Sequence, residues 1–179
     1  MVDLIKTVSI PSDMNLSIEG KKIIVQGNGK KIERALKIEG IEIKNKNNVL
    51  EVSSKKNNRK QAKMIGTIIA HVKNMFNGLK EDFVYKLEVC NVHFPMTIKV
   101  EGNKLNIKNF LGETIDRKAD IVDNARVEVK GNEIFVKSFD REAAGQTAAN
   151  IEKATLIKYR DRRVFQDGIY LTERAGKKI

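Results

Sequence analysis

Phe94-Pro95-Met96-Thr97-Ile98-Lys99-Val100-Glu101-Gly102-Asn103-Lys104-Leu105-Asn106-Ile107 repeats a pattern already written in Ile10-Pro11-Ser12-Asp13-Met14-Asn15-Leu16-Ser17-Ile18-Glu19-Gly20-Lys21-Lys22-Ile23-Ile24-Val25. In each copy the proline precedes an alternating apolar run, Met14, Leu16, Ile18 in one and Ile98, Val100 in the other. Each run reaches a matching turn, Glu19-Gly20-Lys21-Lys22 or Glu101-Gly102-Asn103-Lys104, and alternation resumes at Ile23, Val25 or Leu105, Ile107. A period of two, bounded by Gly and Asn, predicts half-buried strands joined as hairpins. Further along, Ile32-Glu33-Arg34 pairs with Ile115-Asp116-Arg117.

The match extends outward from there. Ile41 and Ile43, a turn over Asn45 to Asn48, then Leu50 and Val52 form another predicted hairpin; Val127, Val129, the turn Lys130-Gly131-Asn132-Glu133, Ile134 and Val136 repeat it. A helix follows in both copies, opening after Asn58 or Asp140, whose side chains can accept the unpaired N–H groups of a first turn. Ala62, Ile65, Ile69, Val72, Phe76 and Leu79 mark one buried stripe, with Gly78 as its end; Ala144, Thr147, Ala148, Ile151 and Ala154 mark a smaller-residue stripe that lets a helix lie close to its sheet. Phe83, Tyr85, Leu87 and Val89 alternate in a strand linking the halves. The repeat is about 84 residues long, from Pro11 to Pro95. Strands followed by a helix, twice, predict an α+β fold: a tandem duplication of a small domain with an antiparallel β-sheet and one main helix, divided as 1–82 and 83–179.

Composition points to the partner. The 179 residues hold 34 Lys and Arg against 23 Asp and Glu, a formal charge of +11, and such an excess favours a polyanion, nucleic acid or anionic membrane. The membrane is disfavoured, since no apolar run approaches the roughly 20 residues that span a bilayer, and the start of the chain lacks a basic region and an apolar run of the signal-peptide kind. Cys90 is the only cysteine, which fits a reducing cytoplasm.

Catalytic constellations are hard to assemble from these residues. Gln26-Gly27-Asn28-Gly29-Lys30-Lys31 lacks the third glycine of a dinucleotide fingerprint and the Gly-Lys-Ser/Thr of a phosphate loop, so a tight turn is the better reading. His71, His93 and Cys90 are too few for structural zinc. Cys90 and His93, three apart on an alternating strand, fall on opposite faces. Asp161, Asp167 and Glu173 sit in a basic stretch where ion pairing with Arg162, Arg163 or Arg174 accounts for them. The sequence predicts no enzyme, no cofactor, no metal and no small-molecule substrate.

The positive charge collects in two places. From Ser53 to Lys80 there are seven basic residues, Lys55, Lys56, Arg59, Lys60, Lys63, Lys73 and Lys80, and no acidic one; both phosphate contact and a solvated helix face remain open. The second stretch runs from Lys153 to Arg174, with Lys158-Tyr159-Arg160-Asp161-Arg162-Arg163 at its centre and Phe165 and Tyr170 interleaved. Arginines there can hold phosphates bidentately, and aromatics can stack on bases or pack beneath the strip. Packing is the reading preferred for Phe165, and both readings stay open for Tyr170. Gly176-Lys177-Lys178-Ile179 reads as a flexible basic tail.

Ile157, Arg160, Arg163-Val164-Phe165-Gln166-Asp167-Gly168-Ile169-Tyr170-Leu171 and Arg174 resemble the C-terminal signature of the sixth large-subunit ribosomal protein family, in its archaeal and eukaryotic form. Ile151-Glu152-Lys153-Ala154-Thr155 is similar to the segment before it, with Lys153 where the family commonly has glutamine, and the Ile10-Pro11 start and the duplication match as well. The resemblance implies two like α+β domains, a place in the large subunit near the sarcin–ricin loop, and rRNA binding chiefly through the second domain. It implies contacts among Lys158, Arg160, Arg162, Arg163, Gly168, Tyr170 and Arg174, to which the flanking charges Lys153 and Lys177 are added. Gly168 either lets the backbone approach a phosphate or serves as a turn glycine. The expected partners are large-subunit rRNA and neighbouring ribosomal proteins, on cytoplasmic ribosomes. The rivals are an architectural DNA-binding protein of the duplicated TATA-binding type, which lacks the symmetric pair of exposed aromatics it would need, and an RNA-processing enzyme.

Overall fold

Asn28 and Gly29, with φ of +51° and +72°, form the two-residue turn between β3 (Lys22–Gly27) and β4 (Lys30–Ala35), and β3 pairs on its other side with β2 (Met14–Glu19), which carries the first apolar alternation. An Asn-Gly pair supplies both left-handed residues that a primed turn needs, so the glycine-rich segment is a turn and not a nucleotide loop. In the computed structural model, every residue except 1–3, 21, 37–39, 47 and 162 is described. Lys21 and Asn47 of the expected turns lie outside the described residues. The chain forms two units, Met1–Glu81 and Asp82–Ile179.

In the first unit, β2, β3 and β4 make one antiparallel sheet. A second antiparallel sheet has the order β1-β6-β5, from β1 (Leu4–Ser9), β6 (Val49–Ser54) and β5 (Glu42–Lys46). The helix α1 (Arg59–Lys80) packs on β1, β3 and β6 and so closes both sheets. Asn58 caps it as expected, accepting from the Gln61 N–H at 2.8 Å. Its buried stripe contains Ile65, Ile68, Val72, Met75, Phe76 and Leu79; Ile69 and Ala62, expected there, are only half-buried. Gly78 is buried and does not end the helix, which runs two residues further. The Asn28 side chain donates to the Leu79 carbonyl at 2.9 Å and fastens the hairpin turn to the helix end.

The second unit repeats this order and adds to it. β8 (Thr97–Glu101), β9 (Lys104–Lys108) and β10 (Arg117–Asp120) form the small sheet, and α2 is Arg141–Ala154. The larger antiparallel sheet has the order β11-β12-β7-β13-β14, from β7 (Phe83–Cys90), β11 (Arg126–Lys130), β12 (Glu133–Ser138), β13 (Gly168–Arg174) and β14 (Lys177–Lys178). The expected linking strand is therefore a central strand of this sheet, between β12 and β13. Asp140 caps α2, and Ala144, Thr147, Ala148 and Ile151 are buried as the stripe requires. The close approach is visible at Gly145, where a Cβ would lie 3.4 Å from the Tyr85 hydroxyl.

Two expectations are corrected. Ile32 is not the counterpart of Ile115: Ile32 is 5% exposed and pairs with Val25, whereas Ile115 is 81% exposed and Arg117 is the residue opposite Ile107. The two-residue turn of the first unit is replaced by a longer connection that buries Phe110, which shifts the alignment by two positions. Gly176 to Ile179 is no loose tail either. Ala175 and Gly176 turn the chain, Arg174 pairs with Lys177, and the Ile179 N–H reaches the Thr172 carbonyl at 3.0 Å.

Candidate nucleic-acid interface

Thr155, buried at the end of α2, holds both ends of the basic loop that follows. Its hydroxyl donates to the Glu152 carbonyl at 3.2 Å and accepts the Ile169 N–H at 2.9 Å, so residues 156–167 leave the helix and return to β13 through one side chain. Arg117 fixes the same helix end from the other side. Its guanidinium donates to the Ala154 and Leu156 carbonyls at 2.9 and 3.3 Å, meets both Glu113 carboxylate oxygens at 2.7 and 2.6 Å, and lies 4.2 Å above the Phe110 ring.

Inside the loop, the Asp161 carbonyl accepts the Val164 and Phe165 N–H groups, and its carboxylate accepts the Arg163 N–H and guanidinium. These hydrogen bonds hold the Asp161 carboxyl below the ordinary range. The Gln166 side chain donates to the Arg163 carbonyl at 3.2 Å, and the Tyr170 hydroxyl donates to the Gln166 carbonyl at 3.1 Å. The Arg160 guanidinium lies 4.7 Å over the Phe165 ring, and that ring stacks on His93 at 4.9 Å with planes 26° apart. His93 in turn meets Asp167 through Nδ1 at 2.6 Å.

Asp167 is therefore not an arginine partner. Its side chain is 1% exposed, and one oxygen accepts the Val92 and His93 N–H groups at 2.8 Å each. Burial alone would push the carboxyl up, but these hydrogen bonds and the charge of His93 outweigh it and hold the group at about 2. As an anion, it can only accept, so Nδ1 of His93 carries a proton and Nε2 is the nitrogen left without a partner among the described residues. Cys90 offers no nucleophile to this pair: burial first, then Glu88 and Asp167, push its thiol up, away from the reactive thiolate. Among the described residues no group of three or more His, Cys, Asp or Glu side chains could hold a metal, and no helix is long and apolar enough to cross a membrane.

The sequence-predicted residues fall into two groups. Lys153, Lys158, Arg160 and Arg163 are exposed at the end of α2 and in the loop, and Arg162 lies outside the described residues. Arg174 and Lys177 are exposed at the opposite end of β13, about 20 Å away at the rise of an extended strand. Between them, Gly168 is buried with φ +159°, and a Cβ on it would lie 3.1 Å from the Tyr170 ring; Tyr170 is half-buried. Three residues were read in the sequence without being assigned to the site. Tyr159 is fully exposed in a left-handed conformation, φ +62°, and its place between Lys158 and Arg160 was the available signal. His93 and Asp167 were seen singly, and 74 residues of separation hid their pairing.

In the first unit, Lys55 pairs with Glu42 at 3.4 Å, a partner outside its own acid-free stretch. Arg59, Lys60, Lys63, Lys73 and Lys80 are exposed along α1, with no ion pair to a described carboxylate. The helix also lacks an acidic residue in its first turn, where negative charge would be favourable.

The model of a family described as ribosomal protein L6 matches residues 10–82 and again residues 94–168, once in each unit. The chain belongs to the ribosomal protein L6 family. Among curated proteins it is 42% identical to large ribosomal subunit protein uL6 of Methanococcus vannielii, covering 95% of this chain and 93% of that one. It is 42% identical to the uL6 of Archaeoglobus fulgidus over 94% and 89%, and 43% identical to that of Sulfurisphaera tokodaii over 95% and 92%. This is a family of ribosomal proteins and not of enzymes, and the L6 match in both halves accounts for the duplication read from the turns.

Proposed function

We propose that this protein is a structural constituent of the large ribosomal subunit that binds rRNA chiefly through its second domain, residues 83–179. The first domain comprises residues 1–82. The observation that carries the reading is the Arg160–Phe165–His93 stack: an arginine held in place by aromatic packing, on a loop closed by Thr155, beside exposed Lys158, Tyr159 and Arg163. Positioned guanidinium groups neutralise phosphates without first losing side-chain freedom, and exposed aromatics accept unpaired bases. Family membership supports a position near the sarcin–ricin loop, beside the site where translation factors dock, with other large-subunit proteins as neighbours. The protein is accordingly cytoplasmic and ribosome-bound.

The test is chemical probing of large-subunit rRNA with and without the full-length protein, together with a photo-crosslinker placed at Tyr159. Protection and crosslinks at the sarcin–ricin loop and its flanking helices are expected. Crosslinks confined to protein, or to RNA far from that loop, would overturn the assignment. Efficient crosslinking to duplex DNA in cells would instead favour the architectural DNA-binding alternative.

A further inference from the structure

We infer that His93 reads RNA directly, presenting Nε2, the ring nitrogen that Asp167 leaves free, to a ribose 2′-hydroxyl while Arg160, packed over the same Phe165 ring, takes the adjoining phosphate. This rests on the proposed rRNA binding and adds a contact from a second loop, outside the C-terminal signature. Four observations place it. The buried Asp167 grips both the backbone N–H and the ring of His93, so the imidazole is held in one orientation. Phe165 stacks on the ring and also packs against the Arg160 guanidinium, so a hydrogen-bonding edge and a cation gather around one aromatic ring. Nε2 has no partner among the described residues, and the side chain is 34% exposed. Val92 and Phe94, its neighbours in sequence, are 61% and 46% exposed and offer apolar contact to a sugar or base.

The chemistry selects RNA. Arginine and lysine neutralise phosphates of DNA and RNA alike, so the basic loop by itself does not distinguish them. The 2′-hydroxyl is what a protein can use for that purpose, and it both donates and accepts. With Nδ1 committed to Asp167, neutral His93 accepts at Nε2 and protonated His93 donates there, so the contact forms in either state. Asp167 is a positioning residue in this arrangement; it fixes the proton and the ring plane without touching RNA.

The experiment uses the full-length protein and the rRNA fragment that it protects, with single 2′-deoxy substitutions walked through the protected nucleotides. Wild type is expected to show a penalty of about fivefold at one or two positions, the worth of an ordinary hydrogen bond. His93→Ala should lose about the same affinity for the all-ribose fragment and abolish that penalty while leaving others intact. His93→Phe, which keeps the stack on Phe165 but has no ring nitrogen, should behave likewise, and amide spectra confirm that both are folded. Arg160→Ala should bind more weakly yet keep the penalty. Asp167→Asn, which releases the proton position, should reduce it. His93 variants with wild-type affinity, or with weaker binding and unchanged deoxy penalties, overturn the assignment. Failure of the wild-type protein to bind the fragment overturns the underlying RNA reading instead, so the two outcomes are separable.

Discussion

Asp167→Asn tests the worth of one buried charge and of the imidazole that it holds. The carboxylate is held at about 2 against an ordinary 3.8, so its ionised form is stabilised in the folded protein by about 2 kcal/mol at neutral pH. Because the folded value is depressed, that contribution is complete above the unfolded pKa and disappears as pH falls through about 2. Linkage leaves roughly half of it at pH 3. Asparagine keeps the shape and one acceptor oxygen for the Val92 and His93 N–H groups, while its amide NH2 faces Nδ1, so the charge and the hold on the His93 ring proton are removed together. The variant should be less stable by about 2 kcal/mol at pH 7, and the gap should halve near pH 3. Urea titrations followed on amide signals of residues in the second unit measure this without interference from the first. An equal deficit at pH 7 and pH 3 would show that the loss is packing, and an unaltered pH 7 stability would show that the charge is not held as described.

Arg160→Ala, Arg162→Ala and Arg163→Ala combined should cut affinity for a large-subunit rRNA fragment and flatten the log-affinity against log-salt line by about 0.7–0.9 per lost phosphate contact. The combination Arg59→Ala, Lys60→Ala and Lys63→Ala should do less, and a larger loss in that folded variant would put the main site in the wrong unit. Arg117→Met should cost about 2–4 kcal/mol in urea unfolding, because the α2 carbonyls and the Glu113 carboxylate lose a shared donor; a change under about 0.5 kcal/mol would mean that this lock is not formed. Gly168→Ala should destabilise by about 1–3 kcal/mol, since its Cβ meets the Tyr170 ring, and Tyr170→Ala in the same chain should recover part of the loss. Strict additivity of the two changes in a double-mutant cycle would show that they do not touch.

What was legible in the sequence was local. Alternation, two-residue turns and the Asn58 and Asp140 caps act within a few residues, and each produced the element it implied. What was not legible depends on distant partners. β1 is a strand because it pairs with β6, although only Val8 of its six residues is buried, so its alternation is faint. Ile32 and Ile115 look alike in sequence, but burial separates them, because a longer connection ending in the Arg117–Glu113 pair stands where the first unit has only Asn28-Gly29. The stripe of α1 shifted from Ile69 to Ile68 and Met75 because the helix serves two sheets, and a single-face pattern does not describe it. At the candidate site, Arg160 and Phe165 are five residues apart, read as parts of one stretch, and they do pack together, whereas His93 enters only when β13 pairs with β7 and brings Asp167 beside residues 92 and 93.

The chemistry of the second unit lies where the two copies differ. In the first unit α1 ends at Lys80, and the cap at Glu81 leads directly into β7. In the second, the chain continues past α2 through residues 155–167, then adds β13 against β7 and turns back as β14. The duplicated part supplies the rigid platform: the sheet that receives β13 and the helix whose last turn holds Thr155 and Arg117. The added part supplies the arginines, the exposed Tyr159 and the carboxylate that orients His93. A cationic loop with free ends would lose much of its binding energy to ordering, and here Thr155, Asp161 and Asp167 bear that ordering in advance. The positive face of α1 has no such preparation: its lysines project singly from a helix, with no aromatic platform described beneath them. Charge is shared between the units, but among the described residues the second is the one that orders its cations beforehand, and this is the physical support for proposing the main RNA contact there.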